Sequence, residues 1–390
     1  MKALLLVDMV RAPLTGIGRY VYELAGHLPH VAAVERVYYY DWADGFMSPL
    51  ALRTRAMTKQ PLSATRRLTR ARCYAHRMAA GVARRIGLPE PAFRRARLTS
   101  RENLVCHGPA FALPPGTGPR VVTIADLSVL THPQFHPGLR VKMILRDINA
   151  SIRQADRLIT FSEFTRYELI DQMGVDPARV HAVPLAADSA FMPRCADAVA
   201  PVLARYGLTW GGYCLSVGTI EPRKQIDSML DAFERLEPAL KNRYPLALIG
   251  DRGWLSDATH RRINALAHQG QVRYLGFLPQ EDLPLVYSGA AACLYMSLYE
   301  GFGLPAVEAM ASGVPLVTMR ATSLPEVCGD GAILVTPGDI DAFSEAITRV
   351  LTDHTCATKL AQRGRAVAMQ YGWERTTRET VSIYQQALGL

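Results

Sequence analysis

Nine consecutive residues carry the densest chemistry in this chain: Glu300-Gly301-Phe302-Gly303-Leu304-Pro305-Ala306-Val307-Glu308. Gly301 and Gly303 remove side chains just where a helix would begin, so a ligand can approach the backbone closely. Pro305 suits the first helical turn, where its fixed φ helps and its missing N–H is not needed. A helix N-terminus offers unpaired N–H groups and partial positive charge, which suits a phosphate. Glu300 and Glu308 flank the turn and can hydrogen-bond sugar hydroxyls. The same pattern also describes a plain strand–turn–helix corner with surface glutamates.

Other stretches carry compatible chemistry. Gly218-Thr219-Ile220-Glu221-Pro222-Arg223-Lys224 follows an apolar run, and adjacent Arg and Lys at a helix start make a diphosphate clamp. Alone, such a pair is more often a solvated surface feature. Gly250-Asp251-Arg252-Gly253 is compatible with a nucleotide and equally with a tight turn. Ser323-Leu324-Pro325-Glu326-Val327 is a polar loop opening a helix. Three such loops at strand ends describe a nucleotide-sugar site better than three coincidences.

The elements that must position these loops alternate between strand and helix. In the first half, strands are expected at Ala3–Met9, Arg36–Tyr40, Asn103–His107, Val121–Ala125, Arg157–Phe161 and Val180–Val183. Helices are expected at Gly18–His27, Arg140–Gln154 and Glu163–Met173. In the second, strands are expected at Tyr213–Val217, Leu246–Gly250, Val272–Gly276, Ala290–Met296 and Val314–Val317. Helices are expected at Arg223–Leu236, Ser256–Ala267, Gln280–Tyr287, Pro305–Ser312, Ile340–Thr352 and Thr355–Met369. Alternation of this kind implies two α/β units with mostly parallel sheets, which bind ligands beyond the carboxyl ends of their strands. Asp188–Leu208, with Pro193 and Pro201, reads as the connection between units 1–190 and 205–372. A last amphipathic helix, Trp373–Ala387, can return to the first unit. Near the N-terminus, Gly16 and Gly18 form a glycine turn that lacks the third glycine of a dinucleotide fingerprint, because position 21 is Val.

With 390 residues and 49% hydrophobic residues the chain is long and apolar enough for two cores. No apolar run reaches the ~20 residues of a membrane span. The first strand-like segment lacks the small residues of a signal-peptide cleavage site. Seven scattered cysteines without a CxxC pair argue for free thiols in a reducing cytoplasm and against a zinc site. Net charge is +9, and Ala51–Arg101 holds fourteen Lys or Arg against the single acid Glu90. Arg66, Arg67, Arg70, Arg77, Arg84 and Arg85 recur at roughly helical spacing, with Leu68, Met78, Val82 and Ile86 between them. That pattern suits an anionic membrane surface, with a solvated basic face as the plainer alternative. Nucleic acid is not expected, since no binding motif accompanies the charge.

Together, Glu300–Glu308, Gly218–Lys224, Val121–Asp126 with His132-Pro133-Gln134-Phe135-His136-Pro137, and Phe161–Thr165 resemble the family 4 glycosyltransferases of GT-B fold. The resemblance runs from the first strand to the final Trp-led helix. It implies two Rossmann-like doubly wound domains facing a cleft, and transfer that retains anomeric configuration without a metal or other cofactor. Arg223 and Lys224 would hold the donor diphosphate, Glu300 the donor hexose hydroxyls, and Glu308 the ribose. The backbone of Gly218 and of Gly301, Phe302, Gly303 and Leu304 would line the donor, and Gly16 and Gly18 would reach it on closure. Within the family, the motifs resemble members using GDP-mannose or GDP-rhamnose, with UDP-sugars next. The implied acceptor is a lipid-diphosphate-linked glycan of bacterial O-antigen or polysaccharide assembly, met at the inner face of the cytoplasmic membrane. Oligomeric state is left open.

One position departs from the family. Where it has His-Asp-Leu, this chain has Ala125-Asp126-Leu127, so Asp126 is kept and the imidazole is lost. Its loss removes a hydrogen bond worth roughly 0.5–1.5 kcal/mol in an ordinary setting. His107, His132 and His136 are the candidate substitutes. If the position is a deficit, Ala125→His raises turnover. The competing functions are another GT-B enzyme, such as an epimerase or a phosphorylase, and a nucleotide-sugar binding protein without transfer activity.

Overall fold

A computed structural model describes residues 1–57, 103–116 and 118–390. Most of the basic stretch, including Arg66 to Arg85, lies outside the described residues. Of its described members, Arg55 is no surface charge: it is buried and ion-paired to Asp41 at 2.8 Å.

Two sheets organise the described chain. The first has strands β1 (Lys2–Leu6), β2 (Arg36–Asp41), β3 (Gly45–Met47), β4 (Leu104–Gly108), β5 (Arg120–Thr123), β6 (Arg157–Thr160) and β7 (Val180–Ala182). Their order is β3-β2-β1-β4-β5-β6-β7, parallel except for the β2–β3 pair. The second is wholly parallel: β8 (Cys214–Val217), β9 (Leu246–Ile249), β10 (Val272–Gly276), β11 (Ala292–Tyr295), β12 (Leu316–Met319) and β13 (Ala332–Val335), in the order β10-β9-β8-β11-β12-β13. β9, β11 and β12 are buried along their whole length. Helices cover both faces of such sheets, which is why these strands read as unbroken apolar runs.

Several expected elements shift, and the shifts follow local chemistry. Strands end earlier than their apolar runs, at Leu6, Thr123 and Tyr295, because the chain leaves the ladder to build loops above the sheet. Gly16 and Gly18 lie inside the helix Gly16–His27, not in a loop before it, since Thr15 caps the helix by accepting from the Gly18 N–H. Asp188–Leu208 is not a plain connection: it contains the helix Ala196–Arg205, with Pro201 inside and Val199 and Leu203 buried one turn apart. Arg205 and Tyr206 at its end both bond Asp282, tying it to the second sheet's helices. The expected helix Arg223–Leu236 is broken. A 3₁₀ turn spans Pro222–Lys224, Gln225 turns left-handed at φ 49°, and the α-helix starts at Ile226.

The final helix, Trp373–Leu388, crosses back and packs on the helix Gly16–His27 and on β4, β5 and β6. Thr376 Oγ1 donates to the Pro184 carbonyl at 2.7 Å. Tyr384 OH lies 2.6 Å from His107 Nδ1, while His107 Nε2 and Tyr20 OH both meet Thr123 Oγ1 at 2.9 and 3.0 Å. Burial pulls the His107 pKa down to about 3, so this imidazole is a neutral structural joint and does not replace the one missing at Ala125. Among the described residues no helix is long and apolar enough to cross a membrane.

Removing the Tyr384 hydroxyl leaves a buried imidazole nitrogen unpaired, a cost of about 1–3 kcal/mol. Tyr384→Phe is therefore expected to lower the urea midpoint of unfolding at unchanged slope, and His107→Ala in the same background to lower it further, because it empties a buried ring's volume and drops the Thr123 contact.

Candidate functional site

The Glu300 corner connects β11 to the helix Leu304–Ala311. Gly303 precedes the helix at φ 98°, a left-handed conformation that a Cβ would strain. Three successive carbonyls are held in place. Ser323 Oγ donates to the Glu300 and Phe302 carbonyls at 2.9 and 3.2 Å, and Ser162 Oγ donates to that of Gly301 at 2.8 Å. The Glu300 N–H donates to Thr322 Oγ1 at 2.9 Å. Phe302 turns its ring into the core against Tyr371, so only its backbone can face a ligand.

Around Glu300 the charges converge. Its Oε1 accepts from Lys224 Nζ and Ser297 Oγ at 2.5 Å and from Tyr295 OH at 2.7 Å, and Arg223 Nη1 lies 3.0 Å away. Arg223 also donates to Glu221 Oε1 through Nη2 at 2.7 Å and to the Tyr299 carbonyl at 2.5 Å. Lys224 reaches the Tyr295 hydroxyl at 2.6 Å, and its stem runs 3.6 Å from where a Cβ on Gly218 would stand. Burial pushes the Glu300 pKa up, but Arg223 and Lys224 outweigh it and hold the carboxyl at about 2. Burial lowers the Lys224 pKa despite Glu300, whereas for Arg223 burial is outweighed by Glu300, Glu221 and Asp126, which raise it. Arg223 is the fixed charge of the cluster and Lys224 the softer one.

Glu308 stands apart from that cluster. It is half-buried, its pKa is raised by burial, and Arg19 of the first domain and the Tyr287 hydroxyl oppose the rise. Arg19 pairs with Asp188 at 3.3 Å and, with the Gln280 amide in its satisfied orientation, with Gln280 at 2.5 Å. These residues, with Tyr22, Phe277 and Glu281, help line a cavity of about 650 Å³ between the two domains.

The first domain closes onto the corner largely through backbone. A Cβ on Gly301 would stand 1.9 Å from the Ala125 carbonyl oxygen, so no other residue fits there in this arrangement. Gly16 faces the Leu304 side chain, 3.7 Å from its would-be Cβ. Tyr299 OH accepts from the Leu127 N–H at 3.3 Å and donates to Glu168. Glu326 caps the helix Glu163–Met173 from the other domain, accepting from the N–H groups of Glu163 and Phe164 at 2.8 and 3.0 Å. Ala125 contributes a buried methyl group and its carbonyl. Asp126 accepts from the N–H and hydroxyl of Ser128 at 3.0 and 2.7 Å. His132 stacks on Phe135 and leans on Tyr299.

Residues 211–367 match the family model of glycosyl transferases group 1. Over 389 residues the chain is 35% identical to the O-antigen chain mannosyltransferase B of Escherichia coli, covering 99% of this chain and 100% of that one. The chain is a group 1 glycosyltransferase. A second relative, the MMP alpha-(1->4)-mannosyltransferase of Mycolicibacterium hassiacum, is 32% identical over 60% of this transferase and 55% of its own length. Solved structures agree on the fold. The Anabaena Alr3699/HepE complex with UDP and glucose superposes with a TM-score of 0.72 at 18% identity, covering 98% of each chain. WaaG, a glycosyltransferase involved in lipopolysaccharide biosynthesis, does so with 0.71 at 16% identity, covering 98% of this chain and 99% of that one. The transferase therefore has the GT-B fold, with the expected facing domains.

Of the residues singled out in the sequence, Glu300, Arg223, Lys224 and Gly218 meet in one cluster, with Gly301, Ala125 and Asp126 against it. Glu308, Gly16 and Leu304 form its flank towards Arg19. Gly18 does not reach it: its would-be Cβ points at the Met9 carbonyl, 2.8 Å away. Sequence reasoning missed Glu221, Tyr295, Ser297 and Thr322 as partners. Glu221 lies inside the Gly218–Lys224 motif, and an acid two residues before Arg223 is the signal that could have flagged it.

Removing the buried Glu300 charge leaves two half-buried cations undercompensated, a loss of about 3 kcal/mol. Glu300→Gln is expected to unfold at lower urea and to lose transferase activity. A carboxylate with a depressed pKa stabilises the fold above its unfolded value, near 4.5, and that stability is lost as pH falls towards about 2. This acid limb, read by denaturation between pH 5 and 2, should be present in the native chain and reduced in Glu300→Gln.

Proposed function

We propose that this transferase moves mannose, or the related D-rhamnose, from a GDP-sugar to a lipid-diphosphate-linked glycan in bacterial O-antigen or polysaccharide assembly, with retention of configuration. The cluster of Arg223 and Lys224 on Glu300 carries the reading. It is a half-buried, ordered pair of cations on a buried carboxylate, at the mouth of a parallel sheet. Full-length similarity to a relative named as an O-antigen chain mannosyltransferase supports the substrate class.

In this reading the donor diphosphate lies on Arg223 and Lys224 and along the backbone of Gly301 to Leu304. Negative charge grows on the leaving diphosphate as the sugar–oxygen bond breaks. Cations already oriented by Glu221 and Glu300 stabilise it without reorganising. All four Oε1 contacts leave Glu300 Oε2 as the acceptor for a hexose hydroxyl. The acceptor hydroxyl attacks from the side the diphosphate leaves, its oxygen bonds the sugar C1, and its proton passes to a departing diphosphate oxygen. Positive charge on Arg223 and Lys224 serves in place of a metal ion. Glu308 takes the ribose hydroxyls, and the base enters the cavity that shares Arg19 with it. Glu281 on the cavity wall offers two oxygens to the N1 and N2 donors of guanine, which uracil lacks.

The acceptor's lipid would bring the enzyme to the inner face of the cytoplasmic membrane. Support comes from the helix Gly138–Gln154, whose exposed side carries Lys142, Arg146 and Arg153 with the exposed apolar Leu139 and Met143. Basic and apolar residues on one helix face suit an anionic lipid surface.

A panel of GDP-mannose, GDP-rhamnose and UDP-sugars with lipid-diphosphate glycan mimics, read by mass spectrometry, tests the assignment. GDP-mannose or GDP-rhamnose should add one sugar of the α-configuration held by the donor. Glu281→Ala should weaken GDP by roughly tenfold while leaving UDP unchanged. Transfer from UDP-sugars alone, or an inverted product, overturns the reading.

A further inference from the structure

His136 stands in the wall that the first domain presents to the Glu300 corner, and no step of the proposed transfer uses it. Its ring is 7% exposed and lies against the indole of Trp254, whose Nε1 donates to the Phe135 carbonyl at 2.6 Å. His136 Nε2 is 3.0 Å from Ser128 Oγ, and Ser128 Oγ is 2.7 Å from Asp126 Oδ1. An ionised carboxylate only accepts, so the Ser128 hydroxyl gives its proton to Asp126 and offers its lone pair to a His136 Nε2–H. That relay assigns the tautomer: Nδ1 carries a bare lone pair. Nδ1 is buried and has no hydrogen-bond partner among the described residues.

A buried acceptor without a donor is costly and uncommon in a settled core. The ring sits between Ser128 of the first domain and Trp254 of the second, at the seam where the first domain meets the Glu300 corner. Asp126 Cβ, the start of the relay, is 3.1 Å from the place where a Gly301 side chain would begin. Burial, then Arg140, lowers the His136 pKa, Asp126 opposes, and of the donor cluster Arg223 lowers it and Glu221 raises it. His132, the neighbouring candidate, is instead engaged with Thr131 Oγ1 at 2.9 Å and with the Phe135 and Tyr299 rings.

We propose that His136 Nδ1 is a substrate contact, accepting a hydrogen bond from a hydroxyl of the sugar held between Glu300 and the first-domain wall, with Ser128 and Asp126 as positioning residues. The inference rests on the reading of the Glu300 corner as the sugar site. It supplies the imidazole that Ala125 does not, from a different position in the chain.

Three substitutions separate this role from packing. His136→Gln can keep the contact to Ser128 but has no acceptor at the Nδ1 position. His136→Asn places a carbonyl oxygen near Nδ1 but drops the Ser128 contact. His136→Phe keeps a ring on Trp254 and removes both nitrogens. Each is assayed for thermal stability, for calorimetric binding of the nucleoside diphosphate (GDP if the assignment holds) of whichever donor the native enzyme accepts in the panel, and for kcat and KM with that donor. Failure of the mannose assignment therefore changes the donor used and leaves the test of His136 intact. The expected result is near-native stability and nucleotide affinity throughout. kcat/KM should fall roughly tenfold in His136→Gln and His136→Phe, with part of the loss recovered in His136→Asn. Native kcat/KM in His136→Gln or His136→Phe overturns the proposal. So does an equal loss of stability and nucleotide binding in all three, which assigns His136 to packing alone.

Discussion

Glu300 is buried with two cations, and the corner is arranged around making that burial tolerable. A lone carboxylate taken out of water loses several kcal/mol of hydration, and its partners lose as much again. Here Lys224, Arg223, Tyr295 and Ser297 all converge on one carboxylate oxygen. Glu221 neutralises the second cation. Counting Glu221 and Glu300 against Arg223 and Lys224, the cluster carries no net charge before a ligand arrives. The cations are thus held in one geometry without depending on a bound anion. An incoming diphosphate need only share them, and ordered cations lose little entropy on binding.

The sequence positions that permit this are structurally particular. Arg223 and Lys224 sit on a 3₁₀ turn that ends at left-handed Gln225, not on a helix face. Both side chains nevertheless end on the same Glu300 oxygen, Lys224 Nζ at 2.5 Å and Arg223 Nη1 at 3.0 Å. The α-helix itself begins only after Gln225, at Ile226. Gly301 plays the matching part on the other domain's approach. With no side chain it lets the Ala125 carbonyl in, so the closed cleft is a backbone-to-backbone contact edged by Tyr299–Glu168 and by Glu326 on a helix start. Beside these polar links lie aromatic ones, Tyr299 against His132 and Phe164 and Trp254 against His136.

Much of the architecture was legible because parallel strands buried on both faces leave continuous apolar runs, as in β9 and β11. The edge strand Val272–Gly276 and the helices Glu163–Met173 and Ile340–Thr352 match to the residue. What escaped was decided by tertiary context. The helix Ala196–Arg205 was hidden by Pro201, an interior proline that packing of Val199 and Leu203 outweighs. β13 is wholly apolar but only four residues long, too short a run for periodicity to tell strand from helix. In the site, the charged residues announced themselves by type and spacing. Tyr295 and Ser297 did not, because a tyrosine ending an apolar strand and a serine after it are ordinary residues until the strand's end is known to lie under Glu300. Gly18, which matched a glycine-turn pattern, is explained by its close approach to Met9 inside a helix's first turn.

The first-domain wall shows why Ala125 can stand where the sequence resemblance leads one to expect histidine without dismantling the cleft. Its contact with Gly301 uses the carbonyl oxygen, which any residue supplies, and its side chain is buried in apolar surroundings. Closure and side-chain chemistry are therefore separable at this position. The next residue, Asp126, turns its carboxylate away along Ser128 to His136. A wall that closes by backbone can draw its polar side chain from eleven residues further on, provided a short helix, Ser128–Thr131, folds that segment back. The geometry of the wall is thus set by main chain, and its hydrogen-bonding character by whichever imidazole the following turns bring into the cleft.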